Sequence, residues 1–264
     1  MKDFIIILPT HSNYQGVVRN FLQLLKKNWP NCPYEIIISV AGKRFTIDGY
    51  KIIYNGANAS LVDCVVNVAE KCKSKYYISF LGDAFINRKI DDRVVAEIFS
   101  EIRNNKINYC SLQCVKNYKK RKNFNKRLRF INSLDRYSHN FTAFVASQEY
   151  IMDELSKNKS DLDFEKKYLS PTIEKYYSNH LIVNKNYFKL LPSITKGKWD
   201  RINYGKLLRK NPEIEFDYRK KQSWKYSILC HLRNYFVSYL PSSMRIGAKN
   251  KVEEIFKIKF GVKG

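Results

Sequence analysis

The segment Tyr76-Tyr77-Ile78-Ser79-Phe80-Leu81-Gly82-Asp83 is an apolar run that ends in a glycine and a carboxylate. Such an uninterrupted run of aromatic and aliphatic residues predicts a strand that is buried on both faces of a sheet. Phe4 to Leu8 (FIIIL) is a second run of this kind. Strands buried on both faces are typical of parallel sheets covered by helices. The two runs therefore predict an α/β fold in which Asp83 lies just beyond the end of a strand.

Strand and helix patterns alternate along the first 115 residues. Three more strands are predicted, at Glu35 to Val40, Tyr50 to Tyr54 and Tyr109 to Val115, and helices are predicted between them. This alternation predicts a mostly parallel, Rossmann-like sheet flanked by helices. Ligands of such sheets bind beyond the carboxyl ends of the strands. The polar loop Pro9–Asn13 and the Gly82-Asp83 pair both fall at such ends.

The second half of the chain is harder to interpret. Lys116 to Arg129 holds eight basic residues and no acid, which indicates a basic connection. Further elements are predicted in the order strand (Asn140 to Ser147), helix (Gln148 to Lys157), helix after Ser160, paired strands (Leu181 to Leu191) and helix (Trp199 to Asn211). We expect one domain over residues 1–218 and a basic helical extension over residues 219–264.

The charge is unevenly distributed. The chain has 48 Lys and Arg against 24 Asp and Glu, a net charge of +24. Residues 1–115 carry 15 basic and 10 acidic residues (+5), and residues 116–264 carry 33 and 14 (+19). This field would attract nucleic acid, anionic lipid or phosphorylated substrates. The alternative is a soluble, lysine-rich surface without a specific partner.

The cysteine pattern and the apolar segments bear on the compartment. None of the six cysteines forms a C-x-x-C pair, and several lie in apolar surroundings. This favours reduced cysteines over structural zinc. No stretch approaches the roughly 18 apolar residues of a spanning helix. We expect a cytoplasmic protein, free or peripherally associated with the inner face of the membrane.

Asp83 offers a specific chemistry at the predicted sheet edge. A single carboxylate there can hold a divalent cation that bridges two phosphates. Such an ion offsets the charge that builds on a departing diphosphate. The alternative is that Asp83 is an ordinary turn or helix-capping residue.

Four segments, in this order, resemble a family of bacterial capsule and lipopolysaccharide glycosyltransferases with the GT-A fold. They are Ile7 to Asn13 with Asn28 to Ile37, Tyr76 to Ile86 with Ile90-Asp91, Ser160 to Glu165, and Thr195 to Trp199 with Arg219. The resemblance implies a GT-A-like fold. It also implies transfer of a sugar from a nucleotide-sugar donor to a growing surface glycan or a lipid-linked glycan.

The resemblance also suggests the donor site. The expected donor-binding residues are Pro9, Thr10, His11, Asn13, Gly82, Asp83, Lys198 and Trp199, with Asp83 as the ligand of Mg²⁺ or Mn²⁺. Two residues depart from the family pattern. Gly82-Asp83-Ala84 has one acid where the family has paired acids, and Leu162 replaces a Trp. The first departure leaves open that a basic side chain neutralises the diphosphate instead of a metal.

A transferase that inverts the anomeric centre needs a general base, and one that retains it still needs a carboxylate near that centre. The candidates are Asp161, Asp163 and Glu165. On a helix, Asp161 and Glu165 share a face, whereas Asp163 points elsewhere. The resemblance favours Glu165, with Asp163 second. Acids that merely stabilise the first helical turn are the alternative.

The tail suggests a membrane contact. Residues 223–240 place Trp224 and other large apolar residues at helical spacing, next to Lys220 and Lys221. Such a helix suits an anionic membrane surface. Lys120 and Arg121 in the basic connection are expected to meet lipid or acceptor phosphates in the same way. A helix packed on the rest of the chain, or in a homodimer interface, is the alternative.

Two rival functions remain open on the sequence alone. Basic and aromatic residues interleave between residues 116 and 129, as in proteins that bind single-stranded nucleic acid. However, no recognisable nucleic-acid-binding motif is present, and we expect no nucleic-acid partner. The second rival is a GT-A-like scaffold without activity, because the second acid is missing.

Overall fold

The computed structural model describes residues 2–114, 122–135, 137–169, 173 and 175–239, with side chains described up to Leu232 in the last helix. The strands are β1 (Lys2–His11), β2 (Glu35–Ala41), β3 (Lys51–Tyr54), β4 (Ser74–Phe80), β5 (Ala84–Ile86), β6 (Tyr109–Ser111), β7 (Leu128–Asn132), β8 (Ala143–Ser147), β9 (Tyr176–Val183), β10 (Leu190–Pro192), β11 (Ile194–Thr195) and β12 (Lys198–Trp199). The helices are α1 (Gln15–Asn28), α2 (Leu61–Lys71), α3 (Asp92–Asn104), α4 (Gln148–Tyr150, continued by a π-turn over Ile151–Leu155), α5 (Asp161–Lys167), α6 (Arg201–Lys210) and α7 (Trp224–Tyr239).

Eight strands form one sheet in the order β3-β2-β1-β4-β8-β6-β9-β7. β1, β2, β3 and β4 are parallel to their neighbours within this group, and β6 is parallel to β9. β8 is antiparallel to both β4 and β6, and β7 is antiparallel to β9. The α/β fold with a mostly parallel sheet flanked by helices is therefore confirmed.

The Phe4–Leu8 run explains why the sheet is covered on both sides. Ile6 and Leu8 pack into a core shared with α1 and α3. Ile5 and Ile7 point to the other face and pack with α2. Because both faces of β1 are buried, the strand has no polar alternation, as its sequence predicts.

β1 is longer than its sequence suggests. It continues through Pro9 and Thr10 to His11, which pair with Ser39, Val40 and Ala41 of β2. The polar loop predicted from Pro9 therefore begins only at Ser12, where a short 3₁₀ turn leads into α1. Proline is tolerated here because the pairing of β1 with β4 ends at Ile7, so Pro9 has a neighbouring strand on one side only.

Two predictions for the second half were wrong. Leu181 to Leu191 is not a pair of strands, because β9 joins the large sheet whereas β10 pairs with β5. The basic connection, predicted to run to Arg129, gives way to β7 at Leu128. Arg129 lies inside the protein because its guanidinium Nη1 is 2.5 Å from the buried carboxylate of Asp135. The charge of Arg129 is thus paired rather than solvated.

Residues 219–222 return to the body of the protein. The Trp199 N–H donates to the Lys220 carbonyl (3.0 Å), and the Gln222 N–H donates to the Trp199 carbonyl (2.8 Å). The division at residue 218 stays a prediction, but the first residues beyond it are hydrogen-bonded to β12. Among the described helices, none combines the length and the apolar character that crossing a bilayer requires.

Candidate functional site

Asp83 lies immediately beyond the carboxyl end of β4, between β4 and β5. Its backbone is fixed, because the Asp83 carbonyl accepts a hydrogen bond from the Ser193 N–H (3.0 Å). Gly82 packs close to α1, and a Cβ there would lie 3.4 Å from Cγ2 of Val18. Burial raises the pKa of Asp83 to about 6, the positive charge of Arg219 opposes this, and Asp161 adds to it. The site therefore holds a desolvated carboxylate at the sheet edge.

The positive charge of Arg219 lowers the pKa of the Asp83 carboxyl. Three groups hold the Arg219 guanidinium in place. Its Nε donates to the carboxylate of Asp217 (2.7 Å). Its Nη2 donates to the carbonyl of Asn13. Its guanidinium carbon lies 4.1 Å from the ring centroid of Tyr14, in cation–π contact. Residues more than 200 positions apart thus hold a guanidinium whose positive charge acts on Asp83.

Asp217 is itself positioned by α1. Its N–H donates to Oδ1 of Asn20 (2.7 Å), and its carbonyl accepts from the indole Nε1 of Trp199 (2.9 Å). Its carboxylate lies against Gly16, where a Cβ would be only 2.1 Å from Oδ1 of Asp217. Gly16 is therefore the residue that leaves room for the Asp217–Arg219 pair.

We expect Gly16→Ala to disturb this arrangement. The added methyl must displace the Asp217 carboxylate and, with it, Arg219, at a cost of about 1–3 kcal/mol of overpacking. Gly205→Ala in α6 is the matched control, because nothing lies within 4 Å of its Cβ and a helical Gly→Ala change stabilises by about 0.5–1 kcal/mol. Urea unfolding should show opposite signs for the two variants. Equal stabilisation by both would contradict the crowding at Gly16.

The carboxylates of α5 divide into two roles. Ser160 caps the helix by accepting from the Asp163 N–H (3.1 Å), and the exposed Asp163 carboxylate accepts from the Lys159 N–H (3.0 Å). Asp163, predicted as the second choice for a catalytic base, is thus a helix-capping residue instead. Its carboxylate is turned to the start of the helix because a residue three positions after the cap is placed to accept these donors.

Glu165 lies on the other side of α5. Its Oε1 accepts a hydrogen bond from the Phe141 N–H (2.9 Å), just before β8. Burial raises the pKa of Glu165, and the negative charge of Asp161 adds to this effect. Asp161 is therefore within electrostatic range of both Glu165 and Asp83. Asp161 was one of the three candidate carboxylates in the sequence, ranked behind Glu165 and Asp163, and its spacing of four from Glu165 indicated that the two share a face.

The predicted donor loop is only partly available for side-chain contacts. Pro9 and Thr10 are buried within β1, and Thr10 is 5% exposed, so neither side chain can reach a ligand from there. His11 is partly buried, and its Nδ1 accepts from the Asn13 N–H (3.2 Å). Asn13 is exposed. His11 and Asn13 therefore remain as the candidates from this segment.

Trp199 does not form the stacking surface that the sequence suggested. It is 1% exposed, and its ring packs against Phe85 (centroids 5.5 Å apart) and Tyr204 (4.8 Å). Its effect on the site is indirect, through its hydrogen bond to the Asp217 carbonyl. Lys198, its neighbour in β12, is exposed. The two residues point in opposite directions because successive side chains alternate along a strand.

The β11–β12 hairpin covers the α1 side of the site. Its turn is Lys196-Gly197, with φ angles of 52° and 71°, which suits a tight two-residue hairpin. A Cβ on Gly197 would lie 3.8 Å from the Tyr14 hydroxyl. The turn therefore lies against the aromatic ring that supports Arg219.

A cavity of about 640 Å³, which no sequence pattern predicted, opens at the carboxyl ends of β2 and β3. It is lined by Val40, Arg44, Phe45, Thr46, Ile52 and Tyr54. The Arg44 guanidinium carbon lies 4.8 Å from the centroid of the Tyr54 ring. The volume is in the range of small-molecule sites. Gly42, two residues after the lining residue Val40, lies against His11, since a Cβ on Gly42 would be 2.8 Å from the His11 Nε2.

The described residues do not form a metal site by themselves. Within that part of the chain, no group of three or more His, Cys, Asp or Glu residues is arranged to hold an ion. Asp83 can still contribute one ligand, because Mg²⁺ typically binds through one or two carboxylates, substrate phosphates and water. A metal at Asp83 thus fits only as part of a complex with a phosphorylated ligand.

His139, which lies shortly before β8, is internal. It is 1% exposed, and its Nε2 lies 2.9 Å from Nδ1 of His180. Its ring stacks on Tyr168 with centroids 3.7 Å apart. Burial lowers the pKa of both imidazoles, that of His180 to about 4. This pair supports the packing behind Glu165 rather than contacting a ligand.

The structure describes three of the five predicted membrane-contact residues. Lys220 and Lys221 are exposed, and Trp224 is 58% exposed. Lys120 and Arg121 lie outside the described residues, so their predicted contact with phosphates remains a prediction.

No family model matches the sequence, and no curated protein sequence matches it. Several solved structures resemble it. Staphylococcus aureus TarS is 13% identical, with 89% of this chain and 44% of TarS covered and a TM-score of 0.45. UDP-glucose pyrophosphorylase complexed with UDP-glucose is 7% identical, with 81% and 98% covered and a TM-score of 0.45. CMP-2-keto-3-deoxy-manno-octonic acid synthetase complexed with CTP is 13% identical, with 58% and 77% covered and a TM-score of 0.37. At such scores these likenesses carry no argument about function.

Proposed function

We propose that this chain is a glycosyltransferase that moves a sugar from a nucleotide-sugar donor to a hydroxyl group of a glycan or lipid-linked glycan. One observation carries the proposal. Asp83, Arg219 and the α5 pair Asp161 and Glu165 come from three separate parts of the sequence. The charges of Arg219 and Asp161 both act on Asp83, and Asp161 also acts on Glu165. A desolvated carboxylate, a fixed guanidinium and a second carboxylate with a raised pKa form an arrangement typical of active sites.

The donor diphosphate is expected to lie beside Asp83 and Arg219. The guanidinium suits phosphate oxygens because it is planar and offers several donors. Asp217 and Tyr14 hold it in place before the ligand arrives, which reduces the entropy lost on binding. Lys198, which is exposed in β12, is proposed to add a second positive charge.

A divalent cation, Mg²⁺ or Mn²⁺, is proposed as part of the donor complex. Asp83 would hold it, with diphosphate oxygens and water as the other ligands. When bound, the ion would supply neutralisation of the charge on the departing phosphate. The raised pKa of Asp83 supports this, because a desolvated carboxylate gains from a nearby positive charge.

The nucleoside is expected to occupy the cavity beyond β2 and β3. Phe45 and Tyr54 offer aromatic surface, and Arg44 is already stacked over Tyr54. A planar base suits such walls because aromatic and guanidinium groups stack on it. His11 and Asn13 are proposed to meet the ribose and diphosphate, because the Asn13 carbonyl accepts from Arg219 and the His11 Nδ1 accepts from the Asn13 N–H.

Glu165 is proposed as the carboxylate that assists the acceptor. The acceptor oxygen attacks the anomeric carbon, the bond from that carbon to the phosphate oxygen breaks, and its electron pair goes to the diphosphate. In an inverting reaction the acceptor proton goes to Oε2 of Glu165, because Oε1 is engaged by the Phe141 N–H. The raised pKa of Glu165 suits this step, because the proton affinity of a general base is best near the working pH.

Capsule or lipopolysaccharide synthesis is the proposed setting, supported by the resemblance of the four sequence segments. A lipid-linked acceptor and peripheral contact with an anionic membrane are part of the same proposal. The direct test of the function is chemical. With the right nucleotide sugar, the chain should release the nucleotide slowly by transferring the sugar to water. Release should be faster when a glycan acceptor is added.

A further inference from the structure

α7 has one packed side and one exposed side. On the packed side, the buried Ser227 hydroxyl accepts from the Arg201 N–H (3.2 Å), and the His231 Nε2 lies 3.0 Å from the Asp200 carboxylate. On the adjoining side, Trp224, Ile228 and Leu232 are 58%, 45% and 46% exposed. Their spacing of four residues places them on one helical stripe. We call this stripe the α7 outer face.

The α7 outer face is surrounded by positive charge. Residues 218–239 contain five Lys and Arg and no Asp or Glu. Lys220, Lys221 and Lys225 are exposed around the start of the helix. The Arg201 guanidinium carbon lies 5.5 Å from the Trp224 ring centroid. The partner that fits an apolar stripe in a basic field presents apolar and negatively charged groups together.

The face is also joined to the proposed active site. Arg219, beside Asp83, lies five residues before Trp224 in the sequence. Between them, Lys220 and Gln222 are hydrogen-bonded to Trp199 of β12. The helix is thus attached at both its start and its packed side, so the orientation of its outer face is fixed relative to the donor site.

We propose that the α7 outer face docks onto an anionic lipid bilayer. Trp224, Ile228 and Leu232 enter the boundary between headgroups and acyl chains, where an indole ring is well accommodated. The surrounding lysines meet lipid phosphates, each near the surface contributing attraction that falls off within a Debye length. This deepens the proposed function, because a docked enzyme meets lipid-linked acceptors, but docking itself does not depend on glycosyl transfer.

Tryptophan fluorescence tests the docking in the natural chain. The chain has three tryptophans, and Trp29 and Trp199 are 2% and 1% exposed, so a solvent-dependent shift reports Trp224. Vesicles of equal parts phosphatidylglycerol and phosphatidylcholine should move the emission to shorter wavelength and protect it from a water-soluble quencher. Phosphatidylcholine vesicles should not. Identical spectra with the two kinds of vesicle would overturn the proposal.

Sedimentation with the same vesicles tests the apolar stripe. The double variant Ile228→Ser/Leu232→Ser should bind roughly tenfold more weakly than the natural chain, because two side chains no longer enter the interface. Leu208→Ser in α6 is the matched control, since Leu208 is 38% exposed but lies outside the stripe. The control should bind as the natural chain does. Equal binding by the double variant would contradict the docking.

Two measurements distinguish membrane docking from a dimer interface and from the proposed glycosyl transfer. A second copy of the chain as the true occupant would appear as self-association that the double variant abolishes, without vesicle binding, and would overturn the proposal. The effect of nucleotide sugars on the melting temperature should be the same in the double variant and the natural chain. If nucleotide sugars have no effect on either while vesicles still bind, the proposed function fails and the docking stands.

Discussion

Glu165→Gln is expected to lower the rate of glycosyl transfer by roughly 10²–10⁴-fold, the usual contribution of a general base. The amide keeps an oxygen that can accept the Phe141 N–H, so the backbone before β8 should stay in place. What the variant loses is the ability to take the acceptor proton. The measurement is the transfer rate under saturating donor, alongside the donor-induced rise in melting temperature, which should persist.

Asp163→Asn is the matched control, two residues away on the same helix. Its carboxylate contacts the start of α5 and not the site, so its transfer rate should equal that of the natural chain. Its loss of stability should be about 0.3–1 kcal/mol, because the amide oxygen can still accept the Lys159 N–H and only the negative charge at the helix N-terminus is lost. A large loss of activity in Asp163→Asn, with Glu165→Gln active, would reverse the assignment of the two carboxylates.

Asp83→Asn is expected to weaken activity and strengthen the fold at once. Loss of a carboxylate that contacts the diphosphate complex should cost at least roughly 10–100-fold in activity, the effect seen for less direct partners of a metal. Any stabilisation of the donor complex by Mn²⁺ should disappear with it, and EDTA should then have no further effect. Activity assays with and without Mn²⁺ give this part of the answer.

The stability part follows from the direction of the pKa shift. Burial raises the pKa of Asp83 from 3.8 to about 6, so the ionised form costs stability at pH values above about 6. Asn removes that cost. The variant should therefore be more stable than the natural chain at pH 7, and the difference should shrink as the pH falls from 6 to below 4. Asp153→Asn, at an exposed position in the turn after α4, should show no such gain. A less stable Asp83→Asn would contradict a desolvated carboxylate.

Asp83→Asn is thus expected to lower activity and to raise stability. A purely structural aspartate would not give the rise in stability. A turn or capping aspartate gains stability from its charge, and its replacement costs stability. An aspartate kept ionised for a cationic ligand costs stability until the ligand binds. The stability of Asp83→Asn therefore distinguishes a carboxylate that binds a cationic ligand from an ordinary turn or helix-capping residue.

Local patterns in the sequence were enough for the first half of the fold. The Phe4–Leu8 and Tyr76–Leu81 runs predicted strands buried on both faces, because their residue types fit no exposed position. The helical spacing of Asp161 and Glu165 also predicted correctly that they share a face, apart from Asp163. Such signals work because they depend on neighbours within one element.

Long-range contacts account for what the sequence did not give. Arg219 meets Tyr14 and Asn13 across more than 200 residues, and nothing in either segment predicts the other. Trp199 resembled a stacking residue, but Phe85 and Tyr204 enclose it in the core. Arg129 belongs to a run of basic residues that indicated a basic connection, but in the structure it is buried and paired with Asp135. Burial and pairing of this kind depend on the whole fold.

The measurement that tests the central claim most directly is identification of the products formed from nucleotide sugars. The chain is incubated with UDP-, GDP- and CMP-sugars, with Mn²⁺ or with EDTA, and with a glycan acceptor present or absent. The account predicts release of the nucleotide from one donor, together with free sugar or an extended glycan, and loss of this release in Glu165→Gln and Asp83→Asn. Absence of release from every donor, with formation of a nucleotide sugar and pyrophosphate from a nucleoside triphosphate and a sugar phosphate, would contradict it.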